Sequence, residues 1–229
     1  MTDRPTLPVV AIDGPAASGK SSTANRVAQR LGLVHIDSGA LYRTATWLAL
    51  RGNRIAQDDV VQALEVAMPR LLRDGSSATV HLDGVSMEAH IRTPDITERV
   101  SEVSAMPLVR DWVNRRLRAA VDEWGGAVMD GRDIGTVVFP DAALKVFLTA
   151  TPEARAVRRL RQSGGGVPTE EIAREASRLG HRDRLDADRA VAPLRAAEDA
   201  RRLDTTLLTL DQQVDRIVEW ATELGLSAS

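Results

Sequence analysis

Residues 14–21 have the sequence GPAASGKS, which fits the pattern G-x-x-x-x-G-K-[ST]. A short apolar run at 8–13 precedes it, and apolar residues at helical spacing follow it at 20–31. A strand, a glycine-rich turn and a helix in this order direct backbone N–H groups and the positive end of the helix at phosphate oxygens. We therefore predict a phosphate loop (residues 14–21), in which Lys20 binds nucleotide phosphates and Ser21 binds Mg²⁺.

Beyond this loop, short apolar runs alternate with segments of helical spacing. Strands are predicted at 8–13, 34–37, 127–130, 143–149 and 206–210, and helices at 20–31, 38–51, 58–72, 107–123, 152–162, 169–180 and 211–224. This alternation is typical of a parallel sheet with helices on both faces. We therefore predict an α/β fold in three layers around a five-stranded parallel sheet, with Asp211 as the N-cap of the last helix.

One stretch departs from this pattern. At 78–91, polar and apolar residues alternate around the pair Asp83-Gly84, which predicts a β-hairpin with a two-residue turn. We therefore predict a small insert at 66–100 within a core formed by 1–65 and 101–229. The glycine-rich stretch at 164–168 is predicted to be a flexible loop or hinge.

The composition excludes several classes of protein. The chain of 229 residues has no cysteine, so it has no disulfide framework, thiol nucleophile or thiolate metal site. Its net charge of -2 and few aromatic residues argue against nucleic-acid binding. No apolar run approaches the roughly 20 residues of a membrane span, and residues 1–10 lack the features of a signal peptide. We expect a cytoplasmic protein that binds neither nucleic acid nor membrane.

The basic residues are very uneven, because 28 of the 30 are arginine and only Lys20 and Lys145 are lysine. Arg43 follows the second predicted strand, and Arg132 follows the third. Since ligands of open α/β sheets bind beyond the carboxyl ends of the strands, we expect these two arginines to form a second anion site beside the phosphate loop. Lys145 has no role that the sequence explains.

The phosphate loop alone leaves several functions open. It is found in GTPases, ATPase motors and small-molecule kinases, although the guanine-reading motif NKxD is missing here. The chain length favours a single-domain phosphotransferase over a motor. A regulator that binds a nucleotide without phosphoryl transfer has the same loop and remains an alternative.

Further motifs, in a fixed order, make the sequence similar to a known family. They are DSGALYR at 37–43, AHIRT at 89–93, MPLVR at 106–110, GRDIGTVVFPDA at 131–142, RAVAPL at 189–194 and LDTT at 203–206. Together with the phosphate loop they resemble bacterial cytidylate kinases, which transfer phosphate from ATP to CMP or dCMP. The resemblance covers nearly the whole chain. It implies a three-layer P-loop kinase fold, with the nucleoside monophosphate bound by the insert at 66–100 and a lid at about 152–190.

The resemblance also implies how the acceptor is held. The implied CMP-binding residues are Arg43 and Arg132 for the phosphate, Arg182 and Asp186 for the ribose, Ser101, Arg110, Asp133 and Arg189 for the base, and Ser38 and Tyr42 beside them. The chemistry is consistent, because the exocyclic amine of cytosine donates to a carboxylate and its N3 and O2 accept from Arg and Ser. Uracil would leave Asp133 unpaired, which is a source of discrimination.

On the donor side, the resemblance implies ATP with Mg²⁺. The implied ATP-binding residues are Gly14, Pro15, Ala16, Ala17, Ser18, Gly19, Lys20, Ser21 and Ser22, and the implied catalytic residues are Lys20, Arg132, Arg158 and Arg159. Mg²⁺ is expected on Ser21 and, through water, on Asp37, with Asp130 as a further candidate. We expect a monomer. A related kinase that acts on UMP, AMP or a metabolite remains an alternative.

Overall fold

The structure is a computed structural model that describes residues 7–162, 164 and 167–226. The strands are β1 (Val9–Asp13), β2 (Val34–Asp37), β3 (Arg70–Asp74), β4 (Ser77–Leu82), β5 (Val85–Ser86), β6 (Ala127–Gly131), β7 (Leu144–Thr149) and β8 (Arg201–Asp204). The helices are α1 (Lys20–Leu31), α2 (Ser38–Arg51), α3 (Gln57–Ala67), α4 (Glu88–Ile91), α5 (Pro94–Val103), α6 (Pro107–Trp124), α7 (Pro152–Gln162), α8 (Thr169–Ala187) and α9 (Leu210–Glu223), with one π-helical turn at Ile134–Val138. Three predictions fall partly outside the described residues. The statement that 1–10 lack signal-peptide features includes 1–6, and the predicted hinge and lid include residues among 163, 165 and 166.

Within the described part of the chain, eight strands form one sheet in the order β3-β4-β2-β6-β1-β7-β8, with β5 paired to β4. The strands β2, β6, β1, β7 and β8 are mutually parallel, which matches the predicted five-stranded arrangement. The insert extends this sheet: β4 lies parallel to β2, and β3 and β5 run antiparallel to β4. The α/β fold class is confirmed, and the eight strands are one more than the five core strands and two hairpin strands that were predicted.

Both faces of the central strands β1, β6 and β7 are buried. Val9 and Ala11 of β1 belong to one hydrophobic cluster, whereas Val10 and Ile12 belong to another. Successive side chains of a strand point to opposite faces, so the two clusters lie on opposite sides of the sheet. Helices α2 and α6 cover the first cluster, and α1 and α9 cover the second, which gives three layers. Among the described residues, none of the helices has the length and apolar character needed to span a membrane.

The insert differs from its prediction at its start. The predicted helix 58–72 ends at Ala67, and Met68 caps it with a left-handed backbone (φ 45°). Pro69 comes next, and the residue before a proline disfavours the helical conformation. Residues 70–72 therefore belong to β3, which forms the longer hairpin with β4, while the predicted Asp83-Gly84 turn joins β4 to the short β5.

The prediction for the last strand was wrong. Strand β8 lies at Arg201–Asp204 rather than at 206–210, and Leu207 is 93% exposed. As an edge strand, β8 carries three charged residues and one leucine, so its sequence lacks the apolar run of a central strand. The N-cap of α9 is Thr209, which forms a capping box with Gln212, and not Asp211.

Lys145 is explained by packing rather than by the site. Its side chain lies within β7 and is 9% exposed, and its Nζ donates to Asp199 Oδ2 at 2.7 Å. Asp199 is in the segment before β8, so the ion pair fastens that segment to the sheet.

Candidate active site

The phosphate loop joins β1 to α1 with little room for larger residues. A Cβ at Gly14 would lie 2.3 Å from the carbonyl oxygen of Leu148, so this position accepts only glycine. Ala17 has a left-handed backbone (φ 59°) despite its side chain. Lys20 is buried, and its Nζ donates to the carbonyl oxygen of Pro15 at 2.7 Å. Burial, together with the nearby Arg132, lowers the pKa of Lys20 to about 7. Anionic phosphate in the loop would favour the charged form.

A carboxylate from β6 contacts the loop serine. Ser21 Oγ donates to Asp130 Oδ2 at 2.7 Å, and the other oxygen, Oδ1, lies 2.8 Å from His35 Nε2. Burial alone would raise the pKa of Asp130, but the hydrogen bond and charge of His35, the charge of Lys20 and the hydrogen bond from Ser21 together hold the pKa below its usual value. Adjacent parallel strands β1, β2 and β6 all end here, which brings the three side chains together.

Asp37, the predicted water-mediated ligand, lines the cavity, and both of its carboxylate oxygens already have partners. Its Oδ1 accepts from the backbone N–H of Gly39 at 2.9 Å, and its Oδ2 pairs with Arg92 at 3.1 Å. The structure thus puts Asp130, the further candidate, against Ser21. A hydroxyl and a buried carboxylate are hard oxygen donors, which fit Mg²⁺. No group of three or more acidic, histidine or cysteine side chains that could hold a metal ion occurs among the described residues.

Four arginines converge opposite the loop; this arginine cluster consists of Arg43, Arg132, Arg159 and Arg182. Burial and the charges of neighbouring arginines lower the pKa of Arg182 to about 9. The same two causes lower the pKa of Arg43 to about 10, although the nearby Asp37 partly opposes the shift. Arg182 Nε is buried without a hydrogen-bond partner. Close arginines disfavour each other's charged forms, and an anion bound among them would favour those forms.

Below the cluster lies a buried group of polar side chains, the deep polar group, which consists of Ser101, Ser104, Arg110, Asp133, Asp186 and Arg189. Arg110 Nη2 donates to Asp133 Oδ2, and the Arg110 guanidinium lies 5.4 Å from the ring centroid of Tyr42. Asp186 is the junction, since it accepts from Ser101 Oγ at 3.2 Å, from Arg132 Nε at 2.9 Å and from Arg189 Nη2. These contacts hold the donor and acceptor atoms in fixed directions.

The two predicted lid arginines, Arg158 and Arg159, lie in different surroundings. Arg159 lines the cavity with the cluster. Arg158 instead donates to Thr205 Oγ1 at 2.9 Å and to the carbonyl oxygen of Ser18 at 3.3 Å, and its other nitrogen donates to the Thr205 carbonyl. It therefore ties the phosphate loop to the turn after β8.

The phosphate loop, the arginine cluster and the deep polar group all line one cavity of about 900 Å³. The predicted site residues that line it are Ala16, Ala17, Gly19, Lys20, Ser21, Ser22, Asp37, Ser38, Tyr42, Arg43, Ser101, Arg110, Arg132, Asp133, Arg159, Arg182, Asp186 and Arg189. Gly14, Pro15, Ser18 and Arg158 lie behind this lining.

Sequence reasoning missed several residues of the site. Ser104 accepts from Arg189 at 2.8 Å, His35 bonds to Asp130, and Asp183 and Arg155 contact the backbone of Ala16. Only Asp183 has a local signal, because it precedes Asp186 by three positions and so lies near it on the same side of α8. The others become neighbours only in the folded chain.

The comparisons with known proteins agree with this geometry. The sequence model of the family described as cytidylate kinase matches residues 10–223. The chain is 44% identical to a cytidylate kinase of Desulforamulus reducens, covering 92% of this chain and 95% of that protein. It is 41% identical to a cytidylate kinase of Streptomyces avermitilis, covering 94% and 93%.

Two further matches differ in length or in sequence. A bifunctional pantoate ligase/cytidylate kinase of Synechococcus sp. is 44% identical over 95% of this chain, but the chain spans only 41% of that protein. A crystal structure from Thermus thermophilus shares the fold, with a TM-score of 0.51, 16% identity and coverage of 95% and 97%. By the family match across 10–223 and the relatives of similar length, the chain belongs to the cytidylate kinase family.

Proposed function

We propose that the protein transfers the γ-phosphoryl group of ATP to CMP or dCMP, which gives ADP and CDP or dCDP. The observation that carries this proposal is that one cavity joins the phosphate loop, the arginine cluster and the deep polar group. These three parts match, in order, a nucleoside triphosphate, an acceptor phosphate and a polar base.

The arginine cluster would hold the acceptor phosphate. A nucleoside monophosphate brings up to two negative charges, and guanidinium groups bind its oxygens in forked pairs. Arg43 and Arg132 were predicted for this role, and the position of Arg182 beside them supports the same role for it rather than contact with the ribose alone. Arg159, from the lid helix α7, would neutralise charge on the transferring group.

The deep polar group would read the base. Asp133 accepts hydrogen bonds, so it suits the exocyclic amine of cytosine, while Arg110, Arg189 and Ser101 can donate to its acceptors. Burial raises the pKa of Asp133, although the neighbouring arginines oppose the shift. We propose that Asp186 both accepts from the ribose and keeps Arg132 and Arg189 in place.

The chemistry asks for positioning and charge neutralisation more than for proton transfer. The acceptor oxygen is already ionised, so no general base is needed, and the loop N–H groups and Lys20 hold the donor phosphates. Mg²⁺, when bound, neutralises charge on the ATP phosphates. We propose that Ser21 and Asp130 hold this ion, with Asp37 acting through water. Ser38 and Tyr42 would shape the acceptor pocket.

We propose that the core, the insert and the lid have separate roles. The core of 1–65 and 101–229 carries the phosphate loop, the insert at 66–100 covers the acceptor, and a lid at about 152–190 closes over the phosphates to exclude water. We further propose a monomer in the cytoplasm that acts on free nucleotides, with no membrane or nucleic-acid partner.

An acceptor panel tests the proposed function. Purified protein would be incubated with ATP, Mg²⁺ and, in turn, CMP, dCMP, UMP or AMP, and the nucleoside diphosphates would be separated by chromatography. We expect CDP and dCDP as the main products, and none above background with Lys20→Ala. If UMP were converted preferentially to UDP, or AMP to ADP, the acceptor would be UMP or AMP instead. ATP binding with no diphosphate from any acceptor would favour a nucleotide-binding regulator.

A further inference from the structure

The helices α7 and α8 both contact the phosphate loop at Ala16, and Arg158 of α7 contacts it again at the carbonyl oxygen of Ser18. The backbone N–H of Ala16 donates to Asp183 Oδ1 at 3.0 Å, and its carbonyl oxygen accepts from Arg155 Nη1 at 3.0 Å. The same Arg155 nitrogen donates to Asp183 Oδ2, which closes a ring of three contacts. The side chains of Arg155 and Asp183 are only 7% and 17% exposed, so the ion pair is shielded from solvent.

Apolar contacts hold the same residue. Ala16 forms a small buried cluster with Ala156 of α7 and Leu179 of α8, and Ala17 packs against it. The backbone N–H, the carbonyl and the side chain of Ala16 are therefore all engaged by two helices from another part of the chain. A loop that needed only its own glycines to adopt its shape would not require this.

The contacts at Ala16 bear on the backbone conformation of the next residue, Ala17. Ala17 has φ 59°, a left-handed conformation that residues with a side chain adopt at a free-energy cost. Such conformations persist where the surroundings impose them. Ala17 also lines the cavity in the predicted ATP-binding loop, so its backbone direction bears on the donor phosphates.

Asp183, which contacts Ala16, lies among residues of the proposed acceptor site on α8. Asp183 directly follows Arg182 of the arginine cluster and precedes Asp186 of the deep polar group by three positions, all on α8. We propose that Asp183 and Arg155 are positioning residues that set the phosphate loop at Ala16–Ala17 and couple acceptor binding on α8 to the affinity for ATP. This inference rests on the proposed function for the identity of the two ligands.

Equilibrium titrations of Asp183→Asn test it, with Asp188→Asn as the matched control. Asp188 is exposed and lies just beyond the end of α8, so its substitution makes the same chemical change away from the loop. We expect Asp183→Asn to weaken ATP binding about tenfold and to leave CMP binding alone within about twofold. In the unsubstituted protein, CMP should tighten ATP binding, and this gain should disappear in the variant.

The direction of the effect is informative. Removal of a negative charge beside the loop would by itself favour a polyanion such as ATP. Weaker ATP binding would therefore report lost loop geometry rather than altered charge. ATP affinity in Asp183→Asn equal to or tighter than that of Asp188→Asn would overturn the inference, whatever happens to the melting temperature.

A second measurement does not depend on the variant folding. Amide hydrogen exchange in the unsubstituted protein, with and without CMP, would follow the N–H groups of residues 16 and 17 against those of β1 and β6. We expect CMP to slow exchange at 16 and 17 and to leave the strand amides unchanged. Equal exchange at 16 and 17 with and without CMP would reject the coupling.

The two proposals fail in different ways. Normal CDP formation together with unchanged ATP affinity in Asp183→Asn would reject this inference and keep the proposed function. Loss of ATP affinity in Asp183→Asn, with no CMP phosphorylation by the unsubstituted protein, would reject the proposed acceptor and keep the positioning role of Asp183.

Discussion

Arg110 and Asp133 form an ion pair at the bottom of the cavity, with side chains only 3% and 6% exposed. Arg110 comes from α6 and Asp133 from the turn after β6, so the pair joins two elements at the proposed base site. Each charge satisfies the other out of solvent, and loss of either leaves the remaining one buried and unpaired. This arrangement makes base recognition sensitive to single substitutions.

Asp133→Asn should reduce discrimination between CMP and UMP. An amide can donate to the uracil carbonyl, whereas the carboxylate can only accept. We expect kcat/KM for CMP to fall about 10- to 100-fold, the ratio of UMP to CMP turnover to rise, and KM for ATP to stay within about twofold. The measurement is steady-state kinetics with both acceptors. Asp141→Asn, at an exposed position, is the control, and an equal loss for ATP and CMP would assign Asp133 a purely structural role.

Lys20→Ala should abolish turnover and leave CMP binding intact. In the proposed function the lysine binds the donor phosphates, and loss of one such charge in a water-excluded site is expected to lower the rate at least about 100-fold. Turnover and CMP titration of the same preparation would separate the two effects. Lys145→Met, at the one other lysine of the sequence, is the matched control and should retain turnover. Loss of CMP binding in Lys20→Ala would contradict the assignment.

Asp130→Asn and Asp37→Asn should differ in their need for Mg²⁺. Because Asp130 contacts Ser21 and Asp37 pairs with Arg92, we expect Asp130→Asn to raise the half-saturating Mg²⁺ concentration about tenfold or more, and Asp37→Asn to raise it less. Activity would be measured over a range of Mg²⁺ at fixed free ATP. The opposite order would make Asp37 the principal carboxylate.

Asp13 should make stability depend on pH. Burial raises the pKa of its carboxyl to about 7, even though the backbone N–H groups of Gly135 and Ile134 donate to it. Because the folded pKa exceeds the unfolded value of about 3.9, this group's stabilisation is complete below pH 4 and is lost as the pH rises through 7. Urea unfolding at pH 5, 6, 7 and 8 should show the unsubstituted protein gaining stability relative to Asp13→Asn as the pH falls. Parallel curves would show that Asp13 titrates normally.

Some of the site was predictable because its signal is local. The phosphate loop needs only adjacent residues in one turn. Arg132 directly follows β6, and Arg43 lies in the second turn of α2, which begins where β2 ends, so strand order brings both to the same edge of the sheet. Both arginines line the cavity, and their role as an anion site stays a prediction. The roles of Arg110, Arg189 and the rest of the deep polar group came from motif resemblance, since nothing in their spacing shows that they meet.

Other features depend on tertiary contacts that no spacing reveals. His35 reaches Asp130 from 95 positions away, and Lys145 finds Asp199 across 54 positions. The strand β8 escaped prediction for a related reason: it lies at a sheet edge, where charge is tolerated, while the apolar residues near Leu207 are exposed. In each case the structure depends on neighbours that are distant in the sequence, and the residue type alone does not reveal them.

The insert strand β4 and the insert helices share their hydrophobic cluster with the central sheet. Val80 and Ile91 of the insert lie in the same buried cluster as Val9 and Met129 of the central strands. Because the two parts share one continuous buried apolar cluster, neither can melt while the other stays packed. Heat should therefore unfold the acceptor end and the phosphate-loop end in one cooperative transition, with equal calorimetric and van't Hoff enthalpies.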